Sequence, residues 1–123
     1  MNFCWTTLYV NNMEESLKFY NEIIGLRVLE RRNIGKEREI EMVMLGETNG
    51  TKVELIYNKN TNASVQSHTI SMGFEVKSLD EAMELVKLKN IPIKRGPISP
   101  IPSIKFFFID DPNGIEIQIV QHN

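Results

Sequence analysis

A single cysteine, Cys4, in 123 residues excludes an intrachain disulfide and any multi-thiolate metal site. It also fits a reducing compartment. Charge of one sign is lacking too: fourteen basic against sixteen acidic residues give a net charge of -2. That balance leaves no electrostatic footprint for nucleic acid or for an anionic membrane surface. No apolar run approaches the roughly 20 residues of a membrane span, and the N-terminus lacks the basic and apolar regions of a signal peptide. A cytoplasmic protein is expected. No nucleophile triad is visible, and the glycine-rich loops of phosphate and dinucleotide sites are missing, because Asn49-Gly50 and Asn113-Gly114 read as hairpin turns.

Hydrophobic residues make up 41% and charged residues 24% of the chain, a composition that suits one globular domain burying roughly two-thirds of its unfolded surface. Phe3 to Val10, rich in aromatic and β-branched types, reads as a strand stopped by Asn11-Asn12. Asn12 then serves as a helix cap with Glu15 three residues on, and Met13, Leu17, Tyr20 and Ile24 recur at helical spacing until Gly25. Arg27 to Arg32, Glu39 to Leu45 and Lys52 to Tyr57 are short and strand-like. The order is β-α-β-β-β.

Residues 58–67 are polar, small and without periodicity, and read as a linker. Beyond them the pattern restarts. Ile70 to Val76 reads as a strand, Ser78 caps a helix that Asn90 closes, and Ile91 to Arg95, Ile104 to Ile109 and Ile115 to Val120 read as three further strands. The segment GPISPIPS, with three prolines in eight residues, is expected to resist sheet pairing as a semi-rigid exposed connector, with a rim or lid beside the cup as the alternative. A second β-α-β-β-β results.

Residue matches support a repeat. A shift of 66 lays Leu8 to Tyr20 on Phe74 to Val86 and matches Val10 with Val76 and Glu15 with Glu81. A shift of 64 lays Asn49 to Tyr57 on Asn113 to Gln121, keeping Asn-Gly and the alternating apolar positions. We therefore expect an α+β fold of two βαβββ modules, about residues 1–58 and 68–123, with mixed sheets. One face of each sheet carries the core under the helix. Paired about a pseudo-twofold axis, the free faces would form a cup suited to a small ligand. Strand alternation places Trp5, Thr7 and Glu54 on the free face of the first module, and the repeat nominates Ser71, Gly73 and Gln118 in the second.

TTLYVNNMEESLKFYNEIIGLRVLERR, then NGTKVELIY, FEVKSLDEAMELV and FFFIDDPNGIEIQIV, together resemble the glyoxalase, bleomycin-resistance and dioxygenase group, the vicinal oxygen chelate superfamily. The resemblance spans essentially the whole chain. It implies a glyoxalase-like fold, assembly as a homodimer, and four positions filled by His or Glu in metal-dependent members. Here those positions hold Trp5, Glu54, Ser71 and Gln118. An indole donates a hydrogen bond and does not act as an ordinary metal ligand, and a carboxylate, an amide and a hydroxyl are a poor set for a divalent ion. The metal site reads as degenerate, so no cofactor is expected, and a weakly held divalent metal is the alternative.

Glu54 is the one candidate catalytic residue, as a general base, and also a candidate ligand contact. Trp5 is expected to stack on a planar ligand or fill the cup, with Thr7, Ser71, Gln118 and Phe107 from the Phe106-Phe107-Phe108 run completing the lining. Arg95 is the preferred positive group for an acidic ligand. Cys4 shares the parity of Leu8 and Val10 and is expected in the core. His68 falls at the wrong parity for the free face, and His122 reads as a solvated tail residue. The reading is a small-molecule-binding protein with a degenerate metal site. Its rivals are a glyoxalase-type lyase or isomerase, with Glu54 as ligand or base, and a non-catalytic interaction module.

Overall fold

The computed structural model describes residues 1–61 and 68–123. Most of the expected linker, residues 62–67, lies outside the described residues. The chain divides into two compact units, Met1–Val65 and Gln66–Asn123, each holding one βαβββ module.

In module 1, β1 (Trp5–Tyr9) leads into α1 (Met13–Lys18), and β2 (Val28–Ile34), β3 (Ile40–Gly46) and β4 (Lys52–Asn58) follow. The sheet order is β1-β4-β3-β2, with β1 parallel to β4 and the other pairs antiparallel. Asn12 caps α1 as expected, its Oδ1 accepting the Glu15 N–H at 3.0 Å. The helix does not run to Ile24 in α form. It widens at Lys18 into a π-helical turn, Phe19–Ile23, in which the Ile24 N–H donates to the Phe19 carbonyl at 3.0 Å. The wider turn sets neighbouring Phe19 and Tyr20 both in the core, edge to face with centroids 5.0 Å apart. Leu8, Val43, Leu45, Val53 and Leu55 occupy one face of the sheet and are buried. The register explains why they meet: Leu8 and Val43 flank Leu55, and Leu45 lies beside Val53. Burial of each such side chain contributes about 1.5–3 kcal/mol.

In module 2, β5 (Ser71–Glu75), α2 (Leu79–Leu88), β6 (Arg95–Ile101), β7 (Ile104–Asp110) and β8 (Glu116–His122) repeat the plan in the order β5-β8-β7-β6. Ser78 caps α2 through the Glu81 N–H at 3.2 Å. The Gln121 side chain anchors the same helix end to the sheet, accepting the Leu79 N–H at 2.7 Å. Asn90, just past the helix, takes φ +58, the left-handed turn that ends it. At the β7–β8 connection, buried Asp111 accepts the N–H groups of Asn113 and Ile115 on Oδ1, both at 2.8 Å. That closes the DPNG turn.

The proline-rich segment departs from expectation. Ile91 to Lys94 is not a strand, and the sixth strand is RGPISPI itself, Arg95–Ile101. It pairs with β7 at Arg95, Ile98 and Ile101 only, with register shifts between them, so Pro97 and Pro100 fall between pairing positions. An edge strand tolerates the missing N–H groups. Gly96 is required there: its φ is +103, and a Cβ would sit 2.9 Å from both the Phe106 carbonyl oxygen and Phe107 Cα. Among the described residues no helix is long and apolar enough to cross a membrane.

Candidate ligand site on the open sheet faces

Side-chain alternation leaves the second face of each sheet free of its helix. On this face of module 1 one row runs across all four strands through Thr7, Glu54, Met44 and Glu30. Adjacent parallel strands bring Thr7 beside Glu54, and the Thr7 hydroxyl donates to Glu54 Oε1 at 2.8 Å in a partly buried setting. Both side chains stand on the face that strand alternation expects, and the hydrogen bond between them was not part of that expectation. Trp5 lies one pleat away, beside Lys52, and is 47% exposed. Trp5 lines a groove of about 440 Å³ together with Cys4, Leu29, Glu30, Met44, Thr48 and Lys52, and Glu54 borders it through its cross-strand neighbour Met44 rather than lining it. Cys4 is exposed and lines this groove, against the expectation of a core thiol. It precedes the first strand residue, so alternation counted back from Leu8 does not reach it.

The corresponding row of module 2 runs through Gly73, Gln118, Phe108 and Arg95. Ser71 stands one pleat away beside Glu116 and is exposed. Phe107 does not belong to this face. It lies beside Ile119, fully buried in the core, and the ring that shares a face with Gln118 is Phe108. Arg95 covers that ring, its guanidinium carbon 4.1 Å from the centroid, while Nη2 donates to Glu116 Oε1 at 3.0 Å. Lys94 pairs with Asp110 at 3.0 Å and with Glu116 at 3.2 Å. The Asp110 hydrogen bond first, then that of Glu116, raises its pKa above the ordinary 10.5. Arg95, nominated for an acidic ligand, thus already has a carboxylate and a ring as partners. His122 is not a loose tail residue: it ends β8 and its Nδ1 lies 3.0 Å from Glu75 Oε2. His68 is exposed ahead of β5.

The four positions that the resemblance connects with metal do not fit one. Trp5 offers only an N–H donor, Gln118 a neutral amide and Ser71 an exposed hydroxyl, while one Glu54 oxygen already accepts from Thr7. Among the described residues no three His, Cys, Asp or Glu side chains gather as a metal-binding group. The donor set suits hydrogen bonding and stacking.

Leu29, Met44, Lys52 and Phe108 are the face residues that reading the sequence missed. Lys52 carried a signal, being two residues from Glu54 on the same strand. Met44 and Phe108 come from β3 and β7, whose registers against β4 and β8 place them.

The family model described as Glyoxalase/Bleomycin resistance protein/Dioxygenase superfamily matches residues 3–119. The lactoylglutathione lyase of Neisseria meningitidis is 31% identical over 126 residues, covering 98% of this chain and 91% of the relative. That of Haemophilus influenzae is 27% identical, covering 99% and 93%. Among solved structures, the trypanothione-dependent glyoxalase I of Leishmania major superposes with a TM-score of 0.83 at 24% identity, covering 98% of this chain and 86% of that one. An antibiotic-binding protein from Streptomyces superposes with a TM-score of 0.74 at 14% identity, covering 100% and 97%. At these identities the two structures establish the fold.

Proposed function

The chain belongs to the Glyoxalase/Bleomycin resistance protein/Dioxygenase superfamily, and from that premise we propose that it binds a small organic molecule on the open face of module 1 without a resident metal. The observation that carries the reading is the Thr7–Glu54 hydrogen bond on that face, next to the groove lined by Trp5. The hydroxyl orients the carboxylate and occupies one oxygen, which leaves the other to accept a donor from a ligand. Trp5 supplies contact area and one directed N–H. A position that holds a metal ligand in metal-dependent members is thereby given to a stacking residue. Assembly as a homodimer in the cytoplasm belongs to the same proposal, and sedimentation of the purified protein tests the dimer.

A second reading has an observation in its favour, since a relative 31% identical is named lactoylglutathione lyase. In a glyoxalase-type lyase or isomerase Glu54 would take the proton that moves, within hydrogen-bond reach of the carbon acid. Elemental analysis of protein purified without affinity metal, with thermal shifts in Ni, Zn, Mn and Fe and an assay for lactoylglutathione formation, separates the two. The binding reading expects no stoichiometric metal, no metal-dependent shift and no product. Stoichiometric metal together with product that Glu54→Gln abolishes would overturn it in favour of the lyase.

A further inference from the structure

We infer that the molecule taken by the module 1 face is an organic cation, an apolar body bearing a protonated amine, with the amine on Glu54 and the body against Trp5. The inference rests on the reading that this face binds a small molecule and adds the charge that molecule carries.

The charges on the face are not equally satisfied. Glu30 is paired with Arg32 at 2.9 Å. Lys52 turns its ammonium to the Gly50 carbonyl at 2.8 Å. Glu54 has the neutral Thr7 hydroxyl and, among the described residues, no cationic side chain within ion-pair distance. A carboxylate whose partner is a neutral hydroxyl has room for a charged donor, which makes the stronger hydrogen bond to it.

Trp5 adds a second preference of the same sign. An indole ring is the best aromatic partner for an ammonium group. Trp5 stands beside Lys52 and Glu54 beside Thr7, so Trp5 and Glu54 are diagonal neighbours on one face. Strand spacing and rise put their Cα atoms about 8 Å apart. One amine nitrogen fits between a ring face and a carboxylate at that separation. Leu29 and Met44 in the groove give the apolar body a surface to lie on, and about 440 Å³ is room for a small ligand. A carboxylate ligand placed there would meet the charge of Glu54, while the Lys52 ammonium is turned to the Gly50 carbonyl and Arg32 is taken by Glu30.

Trp5 is the only tryptophan, so its indole N–H gives one isolated signal in a proton–nitrogen correlation spectrum. Titrating the full chain with naphthylmethylammonium, naphthylmethanol and naphthoate keeps the ring and changes the charge. The ammonium compound should move the Trp5 signal with an affinity about tenfold or more above that of the carboxylate, and Glu54→Gln should erase the difference while the rest of the spectrum stays folded. Equal affinity for the alcohol and the ammonium compound, tighter binding of the carboxylate, or a charge preference that survives Glu54→Gln would overturn the cation and leave small-molecule binding standing. No movement of Trp5 with any of the compounds would overturn both.

Discussion

The two modules share a backbone plan, with the first, third and fourth strands of each in corresponding register, and differ in what they place on it. Thr7 beside Glu54 in module 1 corresponds to Gly73 beside Gln118 in module 2, at the same crossing of the first and last strands. In the first module that crossing is a hydroxyl held to a carboxylate. In the second, a Cβ on Gly73 would find Gln118 Oε1 at 3.9 Å, and nothing is built there. Further along the row, Met44 is followed by Glu30 in one module, while Phe108 lies under Arg95 in the other. The helical faces diverge far less, both lined by buried aliphatic and aromatic side chains. Packing demands only apolar volume of the right shape, so the core preserves the duplication, while the open faces are free to specialise.

The sharpest test of that division is Phe107→Ala. If Phe107 belongs to the core, the change should cost about 3–5 kcal/mol in urea denaturation. A loss below about 1 kcal/mol would return Phe107 to the open face. A smaller effect of opposite sign is expected from Gly73→Ala. The added methyl enters ordinary contact distance of Gln118 and removes glycine's backbone freedom in a strand, which should stabilise by about 0.5–1 kcal/mol. Destabilisation would mean that the bare crossing is needed as it stands. The smallest effect belongs to Lys94→Met. Because Asp110 and Glu116 raise the Lys94 pKa above 10.5, its favourable contribution is full at neutral pH and is lost as pH rises through the raised value. Denaturation midpoints of variant and parent should differ slightly at pH 8 and converge in strong alkali, and a gap that widens there would count against the pairing.

The repeat was the legible part of the fold. Matching Leu8 to Tyr20 with Phe74 to Val86 aligned both capped helices, and matching the two Asn-Gly segments aligned the closing strands. From that alignment Thr7, Glu54, Gly73 and Gln118 came out at their crossings. Three features were beyond it. The side on which Phe107 falls depends on the register across the Asp110–Glu116 connection, where a slip of one residue exchanges faces. Edge pairing at every third residue accommodates prolines that would break a regular strand, so GPISPIPS read as a connector. The π turn at Phe19 follows from a tertiary need to bury two adjacent rings, which helical periodicity cannot express.

The last strand in the order of each sheet, β2 in one and β6 in the other, faces a hazard unrelated to ligands, because unpaired backbone groups on an open edge invite a further strand from another molecule. β6 counters this by omission, since Pro97 and Pro100 have no N–H to offer and the irregular register denies an incoming strand a continuous ladder. β2 counters it by charge, through consecutive Glu30, Arg31 and Arg32. The segment that resisted reading as a strand is thus what lets the sheet of module 2 end at β6 without offering a ladder on that edge.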